Sequence, residues 1–398
     1  QSMRRIGMCA AVSLTEPIQR SVPKASIRSQ PTVYFFANHS SSGGVGELWS
    51  DLAAGLAAKG FRTRLIALWP SADTSMAGDK HIAWPHVVSE KPRSTLRLLC
   101  LIRDLILLFR KDAPDCVVTA MPATNLLVPV AALLSCRRIR AITSHHTPAN
   151  TLKWPMNWLD RYTSVPPNVS ASVSVSKTVA TSYHLKRGWL RSKQRVISNA
   201  LSPAIEQHLS ELSRMRQPRI GGDAPFRVIS LGRLSAQKNY DVLIKAALYM
   251  PNVIVSIIGH GPEETRLRSL ADRLGVTDRV EFLGLMCRKD ALRVLAAADV
   301  FVQMSRFEGH SLALIEAAKL GLPLVVSNIP VQLEFITDEI GRHCGISVDL
   351  DDARSLARSI DRLSSDNRYY EDMALRSRHI AAALSFDKTM SLYEDLVS

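Results

Sequence analysis

Two carboxylates eight residues apart flank a predicted helix start. Glu308 lies in a loop, and Glu316 lies in an apolar stretch that we predict to be helical from near Ser311 until Gly321. The first turn of such a helix, residues 309–312, offers unbonded backbone N–H groups and the positive end of the helix dipole. Amides that can hold an anion, set between two carboxylates, favour a ligand with both phosphate and sugar-like hydroxyls. The spacing does not require the acid and nucleophile of a hydrolase, so we interpret the carboxylates as contacts to different parts of one long ligand.

A pair of cations follows the first predicted strand of the second half. Arg233 ends that strand, and Lys238 comes five residues later at a predicted helix start. An arginine can bind a diphosphate through two hydrogen bonds, and a lysine can bind it as a point charge. Alone, either could be a solvated surface residue. Their position at the same predicted cleft as Glu308 favours diphosphate binding.

Glycine-rich turns and two histidines follow other predicted strands. Gly259 and Gly261 match only part of the glycine pattern of a dinucleotide-binding fingerprint. The glycine-rich run 43–46 precedes a predicted helix, where flexible backbone could approach a ligand closely. At both places a plain tight turn is the alternative. His145 and His146 end a strand of the first half. A histidine there is commonly structural, but at a cleft it could donate a hydrogen bond to a sugar hydroxyl or a phosphate.

Predicted strands and helices alternate in two series along the chain. The first series runs from a strand at 33–37 to a strand at 195–197. The second runs from a strand at 226–231 to helices at 352–364 and 367–383, followed by a final segment at 386–396. Alternation of this kind predicts an α/β fold, with helices covering parallel sheets and ligand chemistry at the carboxyl ends of the strands. Because 398 residues exceed the usual size of one core, we expect two domains with a ligand held between them.

The net charge of +14 belongs to the first half of the chain. Residues 1–198 contain 26 Lys and Arg against 10 Asp and Glu, whereas residues 199–398 contain 24 against 26. A solvated Arg-rich surface is one explanation, and an anionic partner, most simply acidic lipid headgroups, is the favoured one. Binding to nucleic acid is disfavoured because no recognition motif accompanies the charge.

The remaining composition indicates an ordinary globular protein. The six cysteines have no paired spacing, so we expect reduced core thiols, a cytoplasmic protein and no metal site. The longest apolar tracts, 96–109 and 126–136, are shorter than the ~20 residues that a membrane span needs. No signal peptide is expected within the basic stretch 4–30, because the apolar tract there is short.

The order of these motifs resembles that of the retaining glycosyltransferases of family 4, which have the GT-B fold. The resemblance covers roughly residues 32–396 and is specific through the order and spacing of its parts: Gly43-Gly44-Val45-Gly46, His146, Val196-Ile197-Ser198-Asn199-Ala200, Gly232-Arg233-Leu234 with Lys238-Asn239, Gly259-His260-Gly261-Pro262, Phe282-Leu283-Gly284, and Glu308 with Glu316.

The resemblance implies two groups of site residues. The residues it implies for catalysis are His146, Arg233, Lys238 and Glu308, with His146 and Glu308 near the transferred sugar and the two cations on the diphosphate. The residues it implies for donor binding are Gly43, Gly44, Gly259, Gly261, Gly284, Leu285, Met286, Gly309, His310, Ser311, Leu312 and Glu316, with Glu316 on the ribose and residues 284–286 at the base. It implies no metal and no cofactor besides the nucleotide-sugar donor substrate.

Composition and the resemblance together predict a domain organisation. Residues 1–31 contain a tag remnant, Gln1 to Met3, and a basic extension; 32–202 form an N-terminal, acceptor-binding Rossmann-like domain; 203–225 are a linker; 226–385 form a C-terminal, nucleotide-sugar-binding Rossmann-like domain; and 386–398 pack back on the first domain. The two domains are expected to face a central cleft.

The expected activity is metal-independent, retaining transfer of a hexose or N-acetylhexosamine. A UDP-sugar is the favoured donor, and the acceptor is a lipid-linked or polysaccharide glycan of bacterial surface assembly. A GDP-mannose-dependent mannosyltransferase and a silent nucleotide-sugar-binding protein are the alternatives. The expected location is cytoplasmic, at the inner face of the cytoplasmic membrane, with the basic half on an anionic surface and no nucleic-acid partner.

Overall fold

The first half of the chain forms a six-stranded parallel sheet with the order β2-β1-β3-β4-β5-β6. The computed structural model describes residues 30–39, 44–70, 84–152, 159, 162–183, 191–216 and 224–398, and residues 31–398 form one compact unit. The strands are β1 Thr32–His39, β2 Arg62–Trp69, β3 Cys116–Ala120, β4 Arg140–His145, β5 Val169–Ser174 and β6 Gln194–Val196. The helices are α1 Gly44–Ala58, α2 Thr95–Asp112, α3 Pro122–Leu134 and α4 Lys177–Ser182. The central strand β3 is buried along its whole length, as expected for a parallel sheet covered on both faces.

The second half forms another six-stranded parallel sheet, with the order β12-β11-β10-β7-β8-β9. Its strands are β7 Phe226–Leu231, β8 Val253–Ile258, β9 Val280–Gly284, β10 Val300–Gln303, β11 Leu324–Ser327 and β12 Ile346–Val348. Its helices are α5 Pro203–Met215, α6 Tyr240–Ala246, α7 Glu264–Arg273, α8 Arg288–Ala296, α9 Leu312–Lys319, α10 Pro330–Phe335, α11 Ala353–Ser365 and α12 Asn367–Ala382. Two parallel sheets with helices confirm the predicted α/β fold of two Rossmann-like domains.

The last helix, α13 Phe386–Val397, crosses back to the first sheet. Phe386, Met390, Tyr393 and Val397 are buried in the same cluster as core residues of β1 and α1. The ring of Tyr393 meets that of Trp49 edge-on, with the ring centroids 6.1 Å apart. The predicted return of the C-terminal segment to the first domain is therefore confirmed.

Three local predictions differ from the structure. Residues 203–215, for which no helix was predicted, form one, because Pro203 suits the first helical position and Leu209 is buried among residues of the second half. Strand β12 was not predicted, since three residues carry too little periodicity. Cys136 is exposed rather than a core thiol, because it lies in the turn after α3 with a φ of +59°. The domain boundaries themselves stay predictions.

No helix in the described part of the chain is both long and apolar enough to span a membrane.

Candidate active site

The carboxyl ends of the two parallel sheets face each other and touch. A Cβ added to Gly309, after β10, would lie 1.8 Å from the carbonyl oxygen of His146, after β4. A Cβ on Gly44, the first residue of α1, would lie 3.5 Å from Cδ1 of Leu312, the first residue of α9. Parallel strands place their following loops along one sheet edge, which is why these residues from distant parts of the sequence meet.

Lys238 and Glu308 form an ion pair at this edge. Lys238 Nζ lies 2.7 Å from Glu308 Oε1, and both side chains are largely buried. Lys238 ends a short 3-10 turn, and the following Asn239 takes a φ of +51° that begins α6. Thus the lysine predicted to bind phosphate and the glutamate predicted to contact sugar lie side by side, and each neutralises the other.

Arg233 lies at the edge opposite the end of β1. Its side chain is exposed, and its charge acts on His39 of the first half. Burial lowers the pKa of His39 first, and the charges of Arg233 and Lys91 lower it further. His39 and Lys91 were missed by sequence reasoning, although the end position of His39 on β1 was a usable signal.

The glycines after β8 are required by close packing against the loop after β7. Gly232 has a φ of +150° and Gly259 a φ of +143°, and a Cβ on Gly259 would lie 2.0 Å from the carbonyl oxygen of Gly232. A Cβ on Gly261 would lie 2.3 Å from that of Leu234. Close packing of two backbone turns therefore explains these glycines without any ligand. Gly284 has open space around it and a φ of +72°.

The start of α9 is held by hydrogen bonds from both halves. Ser311 Oγ accepts from the backbone N–H of Leu314 and donates to Gln303 Oε1 at 2.9 Å. Asn199 Nδ2 donates to the carbonyl oxygen of His310 at 2.8 Å. Burial lowers the pKa of His310 to about 4, so its imidazole is neutral at pH 7. The predicted N-cap at Ser311 is confirmed.

Glu316 is buried and held by an arginine that sequence reasoning missed. Arg288 Nε and Nη2 donate to Glu316 Oε1 at 2.9 and 2.6 Å, and Arg288 Nη1 lies 2.5 Å from Oε2 of Glu47 in the first half. Burial raises the pKa of Glu316, and Arg288 opposes that rise. Arg288 carried no motif; its place at the start of a helix following β9 was the available signal.

The two adjacent histidines lie in different environments. The ring of His145 is buried against that of Tyr183, with the centroids 4.0 Å apart. His146 Nε2 lies 3.0 Å from Ser144 Oγ, and its ring meets Trp49 edge-on at 5.5 Å. Burial lowers the pKa of His146 to about 3, so it too is neutral at pH 7.

Two family profiles match the chain, one over each half. The profile described as Glycosyltransferase Family 4 matches residues 42–204, and the profile described as Glycosyl transferases group 1 matches residues 215–380. The chain belongs to the family 4 glycosyltransferases.

Relatives of this glycosyltransferase share parts of its length. The lipopolysaccharide core biosynthesis glycosyltransferase LpsE of Rhizobium meliloti is 29% identical over 241 residues, which are 56% of this chain and 68% of LpsE. A D-inositol 3-phosphate glycosyltransferase of Mycobacterium sp. (strain KMS) is 35% identical over 147 residues, 35% of this chain and 32% of that protein. The chain thus spans about two thirds of LpsE and one third of the mycobacterial protein.

A solved structure shares the whole fold of the glycosyltransferase. The crystal structure of Anabaena Alr3699/HepE in complex with UDP-glucose superposes with a TM-score of 0.74 at 19% identity, covering 92% of this chain and 99% of that one. The similarity shows the GT-B architecture that the sequence predicted.

In this family 4 glycosyltransferase, the structure gathers most of the predicted site residues at one pair of sheet edges. Lys238, Glu308, Gly309 and His146 form one contiguous group, while Glu316 lies with Arg288 and Glu47. Leu285 is exposed just after β9. Met286 is partly buried and packs against the hydrophobic core of the second half. Gly43 lies outside the described residues. The roles of these residues in binding and catalysis stay predictions.

Proposed function

We propose that this glycosyltransferase transfers a hexose or N-acetylhexosamine from a UDP-sugar to a lipid-linked or polysaccharide acceptor of bacterial surface glycan assembly, with retention at the anomeric carbon. One observation carries the proposal: the exposed cation Arg233, the paired Lys238 and the start of α9 occupy the same edge as buried Glu316. The UDP-glucose complex of HepE and the lipopolysaccharide role in the name of LpsE support this choice of donor and acceptor.

Donor binding follows from the charges and amides at the edge. Arg233 would bind the diphosphate through two hydrogen bonds, and Lys238 would add a point charge. The free N–H groups at the start of α9 would bind phosphate or sugar oxygens. Glu316 would accept from the ribose hydroxyls, and the backbone at 284–286 would hold the base. In this proposal two side-chain cations balance the leaving diphosphate, so no metal is needed.

Front-face attack is the proposed route to retention. The acceptor hydroxyl would enter on the side from which the diphosphate leaves, and a leaving-group oxygen would take its proton. Arg233, Lys238 and the dipole of α9 would stabilise the charge that develops on that oxygen. Glu308 and neutral His146 would bind sugar hydroxyls, and the contact of Gly309 with His146 would exclude water from the closed site.

Ligand-induced stabilisation tests the donor. We expect UDP and UDP-sugars to raise the melting temperature of the full chain more than GDP or ADP ligands do. Preference for GDP-mannose would instead support the mannosyltransferase alternative. Donor binding with no transfer to any glycan lipid acceptor would support the silent binding protein, and no response to any nucleotide would refute the proposal. Lys238→Met should abolish the response because it removes one cation and leaves Glu308 uncompensated.

We also propose an anionic membrane surface as a partner, through one face of α2. Leu96, Leu99, Arg103, Leu107 and Arg110 recur at helical spacing, and all five are exposed on the side of α2 away from its buried residues. We call this set the outer face of α2. Exposed leucines interspersed with arginines suit a lipid interface, where the leucines enter the headgroup region and the arginines meet acidic lipids.

Vesicle flotation tests the outer face of α2. We expect the chain to float with phosphatidylglycerol vesicles and to do so much less with phosphatidylcholine vesicles. Changing Leu96, Leu99 and Leu107 together to Gln should abolish flotation, whereas Leu375→Gln, a 65% exposed leucine on α12, should not. Equal flotation of the triple variant and the unchanged chain would refute this surface.

A further inference from the structure

Arg288 joins carboxylates from the two halves of the molecule. It is the first residue of α8, and its guanidinium lies between Glu316 on α9 and Glu47 on α1. The side chain of Arg288 is 22% exposed and that of Glu316 is 5% exposed, so this ion pair is shielded from water and salt. Through the contact of Arg288 with Glu47, this ion pair is linked to the first half.

The guanidinium divides its donors between the two carboxylates. Nε and Nη2 both donate to Oε1 of Glu316, while Nη1 lies against Oε2 of Glu47. The guanidinium is planar and rigid. A shift of Glu47 would therefore turn the whole group and change its hydrogen bonds to Glu316. Asp51, one turn further along α1, also faces Arg288; burial raises the pKa of Asp51, and Arg288 and a hydrogen bond from Ser202 oppose the rise.

We propose that Arg288 is a positioning residue that couples closure of the two halves to the orientation of Glu316. With the cleft closed, Glu47 anchors one edge of the guanidinium, and Arg288 occupies Oε1 of Glu316 so that Oε2 serves as the acceptor for a ribose hydroxyl. With the cleft open, the anchor on α1 is lost and Glu316 is oriented less strictly. The inference rests on the proposed ribose-binding role of Glu316.

A second contact between the halves tests closure separately, and a second arginine of α8 provides the control. The carboxylate of Glu334 on α10 accepts from the backbone N–H groups of Lys177 and Thr178 at the start of α4, both at 2.7 Å. Glu334→Gln weakens the closed form without touching Arg288. Arg293→Met removes a cation from the same helix α8, where Arg293 is exposed and pairs with Asp290.

The ratio of dissociation constants for 2′-deoxy-UDP and UDP tests the coupling by calorimetry on the full chain. We expect the unchanged chain to bind UDP at least tenfold more tightly than 2′-deoxy-UDP, because without the ribose hydroxyl Oε2 of buried Glu316 would lack its donor. Glu47→Gln and Arg288→Lys should each reduce this ratio at least threefold. Arg293→Met should keep it, whatever its effect on UDP affinity itself, whereas Glu334→Gln should lower it because the closed form is weakened.

The outcomes separate this inference from the proposed function. If the unchanged chain fails to bind UDP, the proposed donor is wrong. If it binds UDP with the expected ratio and Glu47→Gln keeps that ratio, the coupling through Arg288 is refuted while the proposed function stands. Glu47 is a partly exposed residue on the surface of α1, so its Gln variant is expected to fold, and its melting temperature checks this.

Discussion

Gly309→Ala should hold the two halves of the glycosyltransferase apart. The added Cβ would lie 1.8 Å from the carbonyl oxygen of His146 and 2.6 Å from its carbonyl carbon. Non-bonded heavy atoms rest at about 3.5 Å, so the shortfall is about 1.7 Å. Both neighbours are backbone atoms, which cannot rotate away as a side chain can. The simplest relief is a separation of the two sheet edges at this point.

The cost of that separation can be worked from the contacts that it breaks. Overpacking of this kind costs about 1–3 kcal/mol. A movement of about 1.7 Å would also stretch the hydrogen bond from Asn199 to the carbonyl oxygen of His310, now 2.8 Å, beyond bonding range, for about 1 kcal/mol more. The closed form is then disfavoured by about 2–4 kcal/mol. If only the closed form transfers sugar, kcat/KM should fall at least about 30-fold.

Transfer kinetics and small-angle scattering check this prediction together. We expect the Gly309→Ala chain to lose kcat/KM, to keep its melting temperature within a few degrees, and to show a larger radius of gyration with UDP bound. Gly275→Ala is the control: its Cβ meets open space, so only local strain from the φ of +64° is expected. A Gly309→Ala enzyme with unchanged kcat/KM would refute the reasoning, because the halves would then react without closing.

Three further predictions concern charge, pH and packing. Glu308→Gln should tighten UDP binding severalfold, since Lys238 no longer shares its charge, while slowing transfer; calorimetry and kinetics on one preparation check both signs. The pKa values of about 3 for His146 and about 4 for His310 lie below the value near 6.5 expected in the unfolded chain. Between pH 4 and 6.5 the unfolded chain therefore binds more protons than the folded one, and the free energy of unfolding should fall as pH falls. Urea unfolding at pH 7.5 and 5.5 should show this loss, up to about 1.4 kcal/mol per pH unit for each histidine, and the double Asn variant should flatten it. Met390→Ala should cost about 2–5 kcal/mol of unfolding free energy without changing UDP affinity, because Met390 is buried between α13 and α1.

The fold was predictable because strands and helices in this chain have distinct periods. Apolar runs such as 116–120 and 324–327 are short and fully buried, whereas α11 and α12 show helical spacing with caps at Asp352 and Asp366. The helix at 203–215 was missed because its polar face dominates the composition and only Leu209 is buried. Ile205, Leu209 and Leu212 nevertheless recur at helical spacing and were the available signal.

The site was predictable only in part, because ion pairs between distant segments leave no pattern in the sequence. The pairing of Lys238 with Glu308 and that of Arg288 with Glu47 each depend on how loops from different strands come together. The glycine turn at Gly259 shows the opposite limitation. Its sequence suggested approach to a ligand, whereas the carbonyl oxygen of Gly232 already requires it.

The two carboxylates that flank the start of α9 are thus two separate electrostatic units. Glu308 is balanced by Lys238 from the loop after β7, and Glu316 is balanced by Arg288 from the helix after β9. Burying either carboxylate without its cation would cost several kcal/mol, so each pair must form before a ligand arrives. Because Lys238 balances Glu308, an incoming diphosphate meets little repulsion from that carboxylate. In the proposed function the diphosphate is therefore bound by Arg233, Lys238 and the amides at the start of α9 together.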